Sequence, residues 1–154
     1  MTKIKIIEPN GGKHIAIAGH INSILASKDD TDGSYSIVEA KVFSDSGPMP
    51  HIQTREHEGF YVLEGEISFI VDGNEIIAKP GTFVNVPPNV THSFKNKTNK
   101  LAKMLVIIAP GGLENLFVEL GNEVSDPTIQ PPPMPENKMK EFTSVLSNYG
   151  VEVK

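Results

Sequence analysis

His51 and Gln53, then Glu58, then His92 inside the run VPPNVTHSFKN constrain this chain more than any other feature. Two imidazoles, a carboxylate and an amide form an N/O donor set of the kind that holds Fe, Mn, Co, Ni or Cu when coordination positions must stay open. For all four to meet at one centre, three β-segments have to converge. Residues 51 and 53 leave the same face of a strand, because side chains alternate along it. Glu58 changes that parity, so the intervening TREH must bend or begin a new strand before Glu58 can join the same centre. Arg55, the single arginine of the chain, sits in that bend. Pro87 and Pro88 fix the start of a turn and let a distant strand deliver His92.

The rest of the chain supplies strands for such a centre. HIAIAG and INSILAS are short strands broken at Gly19 and His20, and KDDTDG is a polar turn before YSIVEAKVF. GFYVLEGEISFIVDGNEIIA holds two β-rich runs around Asp72-Gly73-Asn74, the chemistry of a tight hairpin. In it Ile67, Phe69 and Val71 share one face, and Glu66, Ser68 and Ile70 the other. TFVNVP, HSFKN and LAKMLVIIAP follow, the last apolar enough for a doubly covered sheet or a contact between copies. The 13 glycines and 12 prolines among 154 residues point the same way, to many turns and an all-β domain. A chain of this length is expected to form a single domain, residues 1–154, with the barrel at about 14–109.

After Pro110 the pattern changes. Leu113, Leu116, Phe117 and Leu120 form one helical stripe before Gly121, and Met139, Phe142, Val145 and Leu146 another before Gly150. SDPTIQPPPMPE between them is an extended proline-rich connector. These two short helices, in a C-terminal extension over 110–154, are expected to close the outer surface or bottom of the barrel.

Two ordered motifs carry a family resemblance. GPMPHIQTREHEGFYVLEG resembles the first cupin motif, with Gly47, His51, Gln53, Glu58 and Gly65 at its marked places, and GTFVNVPPNVTHSFKN resembles the second, with Gly81, Pro87, His92 and Asn96 in register. The likeness spans roughly residues 35 to 109. It departs from the family at three places. Gln53 stands where a second histidine is usual, Asn89 replaces a glycine, and Gly47 lies nearer to His51 than the motif asks. Asn tolerates a left-handed backbone better than other non-glycine residues, so Asn89 is a mild change. Gln53 matters more, since an amide oxygen is a harder and weaker ligand than imidazole; it either completes the shell or only hydrogen-bonds a water there.

The resemblance implies a double-stranded β-helix, or jelly-roll, barrel. It implies one divalent transition metal per chain (Fe, Mn, Ni, Co, Cu or Zn) held by His51, Gln53, Glu58 and His92. The helical tail is similar to that of small quercetinase-like cupins. From that follows the expected activity, a metal-dependent dioxygenase acting on a small aromatic or enolisable compound, with Glu58 as the catalytic base. A non-catalytic cupin that binds a small ligand or metal, and a metal-dependent isomerase, stand as alternatives. The resemblance also implies a homodimer, for which INSILAS and LVIIA are the candidate contacts.

Several residues keep a plainer reading beside the functional one. Glu58 on a solvated strand face would be an ordinary surface carboxylate, whereas inside a barrel it needs a partner. His57 points opposite to Glu58 on a regular strand, yet a shifted register at the bend would make it the missing second imidazole. His14 and His20 are read as hydrogen-bonded structural residues. Phe60, Val62, Phe94, Met104 and Val106 are core residues that are also the candidates for a substrate pocket.

Charge and composition exclude other classes. A net charge of −5 leaves no basic patch for nucleic acid and no cationic face for a membrane surface. No run of apolar residues approaches the ~18 that a spanning helix requires. With no cysteine, disulfides and thiolate ligands are both absent. The expected setting is the cytoplasm and the expected partner a small molecule.

Overall fold

In the computed structural model, which describes residues 3–154, alternation in the sequence becomes two antiparallel sheets. Strands β1 (Lys13–Ile17), β2 (His20–Ala26), β3 (Ser36–Val42), β4 (His51–Gln53) and β5 (His57–Glu64) come first. Strands β6 (Ile67–Val71), β7 (Asn74–Ala78), β8 (Phe83–Val86), β9 (His92–Lys95) and β10 (Ala102–Ala109) follow. Helix α1 (Glu114–Leu120), β11 (Asn122–Glu123), α2 (Met139–Asn148) and β12 (Val151–Val153) complete the chain. One sheet runs β11-β1-β2-β3-β10-β5-β8 and the other β12-β4-β9-β6-β7. This is the expected all-β barrel with two short helices.

Period-two patterning places the core. Phe60 and Val62 of β5, Met104, Val106 and Ile108 of β10, and Ile67 and Phe69 of β6 are all buried in one cluster. Phe60, Phe69 and Phe94 form its centre, with ring centroids 5.2 to 5.8 Å apart in tilted and edge-on pairs, the geometry that aromatic quadrupoles favour. A smaller cluster of Ala16, Ile21 and Phe43 lies on the other face of the first strands. Ile21 and Ile24 are therefore buried in this chain's own packing, and INSILAS offers little apolar surface to a partner. LVIIA is split: Val106 and Ile108 point inward, while Ile107 is exposed.

Two backbone positions explain the motif residues. Val71 pairs with Asn74, so Asp72 and Gly73, with φ of 49° and 81°, form a two-residue hairpin loop in which both residues need a left-handed backbone. Asn89 has φ 68°, which is why a glycine or an asparagine suits that place. Its N–H donates to the Gln53 carbonyl at 2.8 Å. The loop that delivers His92 is thus tied to the strand that delivers Gln53.

The segment after residue 110 is woven into the barrel. β11 pairs with β1, and β12 pairs with β4, setting Val151 opposite Gln53 and Val153 opposite His51. The two helices pack over the cavity and not merely on the outer surface. Leu113, Leu116 and Phe117 from α1 and the residues just before it, with Met139, Phe142 and Leu146 from α2, line the cavity that also holds His51, Gln53 and Glu58. Their apolar stripes face the barrel mouth because that is where unburied apolar surface remains. Among the described residues no helix is long and apolar enough to cross a membrane.

Candidate metal centre

His51 of β4 stands directly opposite His92 of β9, with ring centroids 4.4 Å apart. Gln53, two residues along β4, is buried beside them. Thr54, Arg55 and Glu56 make the bend that parity demands, and Glu58 comes in from β5. Thr54 anchors this bend, its N–H and its hydroxyl both donating to the Gly150 carbonyl at 2.9 Å. The Gln53 amide nitrogen donates to Glu58 Oε1 at 2.6 Å, and His92 Nε2 lies 3.5 Å from Glu58 Oε2. That second distance is too long for a good hydrogen bond and makes the contact electrostatic.

His57 settles out of the site. It is exposed, whereas Glu58 is buried, so the register is the regular one and His57 does not replace Gln53. The pocket candidates divide. Phe60, Phe94 and Val106 line the cavity, but Val62 and Met104 do not. Both are fully buried in the core, where neighbouring side chains cover them from the cavity. The expectation that they face a ligand is corrected accordingly.

The donor set suits a divalent cation. His51 Nδ1 donates to the Met49 carbonyl at 2.8 Å and His92 Nδ1 to the Val90 carbonyl at 3.0 Å, which makes Nε2 the lone-pair donor of each ring in its neutral form. Metal-binding imidazoles are oriented in this way by a hydrogen bond on the other nitrogen. Gln53 Oε1 and His92 Nε2 are buried with no hydrogen-bond partner, at a cost of about 1–3 kcal/mol each that a cation would offset. Among the described residues no three His, Asp or Glu side chains form a ready metal cage.

Electrostatics separate the two imidazoles. Burial disfavours a proton on both rings. At His92 the adjacent Glu58 carboxylate outweighs burial and raises the pKa, whereas at His51 burial and the charge of His92 prevail and lower it. Glu56 was not foreseen as part of this neighbourhood. It is buried, its Oε2 has no partner, and burial followed by the charge of Glu58 pushes its carboxyl up to about 7.

The cavity above the cluster has a volume of about 230 Å³, below the ~300–1,000 Å³ of most drug-sized ligand pockets. Aliphatic and aromatic side chains form most of its wall, including Met134 from the proline-rich connector and Val151 and Val153 of β12. The alternating VEV at the end of the chain could have signalled β12, but not which strand it joins. His20 lines this cavity as well, and its Nδ1 makes no hydrogen bond of good geometry. His20 thus keeps a backbone contact at Ala18 but, unlike a fully paired structural imidazole, borders the cavity. The structural, hydrogen-bonded reading holds for His14, whose Nδ1 meets Ser23 Oγ at 2.6 Å and whose Nε2 donates to the Asn10 carbonyl at 3.0 Å.

The barrel sequence and the fold match known proteins. The family model for the cupin domain matches residues 40–108. That match places a cupin domain in the chain. It is 30% identical over 117 residues to a quercetin 2,3-dioxygenase of Bacillus subtilis (strain 168), covering 76% of this chain and 34% of that protein. It is 36% identical over 90 residues to a quercetin 2,3-dioxygenase of Aspergillus japonicus, covering 55% of this chain and 25% of that one. The chain thus spans about a third or less of the curated relatives it matches. Among solved structures, KdgF from Halomonas sp. superposes with a TM-score of 0.65 at 17% identity, covering 74% of this chain and 99% of that chain. At that identity the likeness concerns the fold.

Proposed function

We propose that this cupin-domain protein is a metal-dependent dioxygenase acting on a small aromatic or enolisable compound. One observation carries the reading: an apolar cavity, roofed by two helices, has an N/O donor set with a single carboxylate at one of its walls. The similarity to quercetin 2,3-dioxygenases supports it. His51, Gln53, Glu58 and His92 would hold one divalent transition metal, which when bound supplies Lewis acidity toward a substrate hydroxyl.

The chain's own residues account for the other steps. Glu58 is the carboxylate at the cavity wall and takes the proton of the substrate hydroxyl. Gln53 holds Glu58 Oε1 through its amide nitrogen, so it sets the direction in which the carboxylate faces. Phe60, Phe94 and Val106 form the wall against which a ring packs, and Leu113, Phe117 and Leu146 exclude water from above. Among the described residues no Lys or Arg lines the cavity. A sugar phosphate, which calls for cationic contacts, has none there, and this weakens the isomerase reading.

The binding-module reading has one observation in its favour. Gln53 turns its amide nitrogen, not its oxygen, to Glu58, which suits a neutral hydrogen-bonded cluster as well as a metal shell. Elemental analysis of protein purified without chelators separates the two, with the His51→Ala/His92→Ala double variant as control. Near-stoichiometric metal that is lost in the control, with dioxygen uptake on flavonol-like substrates, supports the enzyme. No metal after reconstitution with Fe, Mn, Co, Ni, Cu and Zn overturns it in favour of the binding module. The homodimer, if formed, has an apolar patch available at Tyr61, Leu63, Phe83 and Ile107, all exposed on the outer face of one sheet; light scattering on the purified protein tests it.

A further inference from the structure

The polar side chains that line the cavity are few and fall into two groups. His51, Gln53 and Glu58 form one, and His20 and Asn22 form the other. The second pair lies two residues apart on β2, so both side chains leave the same face, and Ile24 continues that face into the core. In the sheet order β2-β3-β10-β5 they are three strands from Glu58, roughly 14 Å along the sheet at the usual interstrand spacing. The wall between them is apolar, formed by Val38, Ala40, Val106 and Phe60.

His20 is 7% exposed and Asn22 4%. His20 Nδ1 makes no hydrogen bond of good geometry, and among the described residues the only polar contact that acts on the ring from the chain is with the Ala18 backbone. On the adjacent strand β1, His14 shows what this fold does with an imidazole whose role is structural: both ring nitrogens are paired. A buried polar atom left unpaired costs about 1–3 kcal/mol, and a packing role would be filled at no such cost by an apolar residue. Burial also keeps the ring neutral, since it lowers the pKa to about 4. With no Lys or Arg among the described residues of the cavity wall, nothing at this end matches a carboxylate or phosphate.

We propose that His20 and Asn22 form a second polar subsite, which receives a neutral hydroxyl or carbonyl at the far end of a ligand whose near end meets the Glu58 cluster. The ligand class is an elongated, uncharged molecule with an apolar middle and an oxygen function at each end. This rests on the reading of the Glu58 cluster as the reactive end, and it adds what holds the other end.

The test uses two flavonols, one bearing only its hydroxy-ketone and the other carrying one added hydroxyl on the far ring. Affinities for the metal-loaded full chain are measured by calorimetry for the wild type, His20→Phe, Asn22→Leu and His51→Ala, with circular dichroism confirming the fold of each. The wild type is expected to favour the hydroxylated flavonol by about tenfold, the value of one hydrogen bond in a dry site. That ratio is expected to fall to near one in His20→Phe and Asn22→Leu. Because it is taken within each variant, a uniform loss of stability does not move it. In His51→Ala both affinities fall together and the ratio stays. If the ratio survives in both His20→Phe and Asn22→Leu, the subsite is refuted whatever the His51 arm shows. If the ratio is lost in them while His51→Ala leaves both affinities unchanged, the subsite stands and the metal-centre reading fails.

Discussion

His20 also makes a prediction about stability that requires no ligand. Its imidazole is buried and neutral in the folded chain, with burial lowering its pKa from 6.5 to about 4 and a backbone contact at Ala18 only partly opposing this. The unfolded chain therefore binds a proton at His20 across a window in which the folded chain does not. Stability from this residue is fully present above about pH 6.5 and is lost progressively as pH falls to about 4. The two values differ by about 2.5, and at ~1.4 kcal/mol per pH unit the loss is roughly 3 kcal/mol. Glu56 runs the other way. Its raised pKa gives stability below its ordinary value that disappears as pH climbs through about 7, so the raw profile mixes the two. Subtracting a His20→Phe variant isolates the imidazole. The assay is urea unfolding at a series of pH values, followed by circular dichroism because the chain has no tryptophan, with chelator present so that metal-linked protons do not enter. The wild type should lose roughly 3 kcal/mol relative to the variant between about pH 6.5 and 4. A flat difference across that range would refute the argument, for the ring would then have water or an acceptor within reach.

Four further outcomes follow from the motif residues. Glu58→Gln should lower turnover by at least about a hundredfold if Glu58 is the proton acceptor, while Gln53→His should tighten metal binding; full turnover in Glu58→Gln removes the assigned role. Asn96→Ala should cost on the order of 3 kcal/mol, because the buried Asn96 amide donates to the Val42 and Lys100 carbonyls at 2.8 and 2.7 Å and its oxygen accepts from the Thr98 N–H at 2.9 Å; an unfolding midpoint equal to that of the wild type would count against it. Gly47→Ala should unfold the chain or cost more than about 3 kcal/mol, since φ is +152° and a Cβ would run into the Phe94 carbonyl and come within 3.0 Å of Lys95 Cα; normal expression and thermal midpoint would contradict this.

These residues show how the cupin motifs divide their labour. Gly47 and Asn96 serve the backbone, permitting close approach to β9 and closing the turn before β10. Local chemistry made them legible. A glycine needed at positive φ, an asparagine at αL and an Asp-Gly hairpin depend on a few neighbouring atoms, and the parity change between Gln53 and Glu58 depends only on the strand period. The bend at residues 54–56 follows from that same period, as does the exposure of His57 opposite Glu58.

From its sequence alone this protein is an all-β chain with two helical stripes after Pro110, and His51, Gln53, Glu58 and His92 are marked as a set. Tertiary structure alone decided what stands opposite what. Helices α1 and α2 had to bury their stripes somewhere, and only the packed barrel shows that its mouth was the open apolar surface. Val62 and Met104 share their faces with Phe60 and Val106, yet burial by distant neighbours removes them from the cavity. His14 and His20 look alike in the sequence. One found Ser23 and the Asn10 carbonyl, while the other, touched by the Ala18 backbone, borders a cavity with Nδ1 outside good hydrogen-bond geometry, because hydrogen-bond partners and access to a cavity are properties of long-range packing that no local pattern encodes.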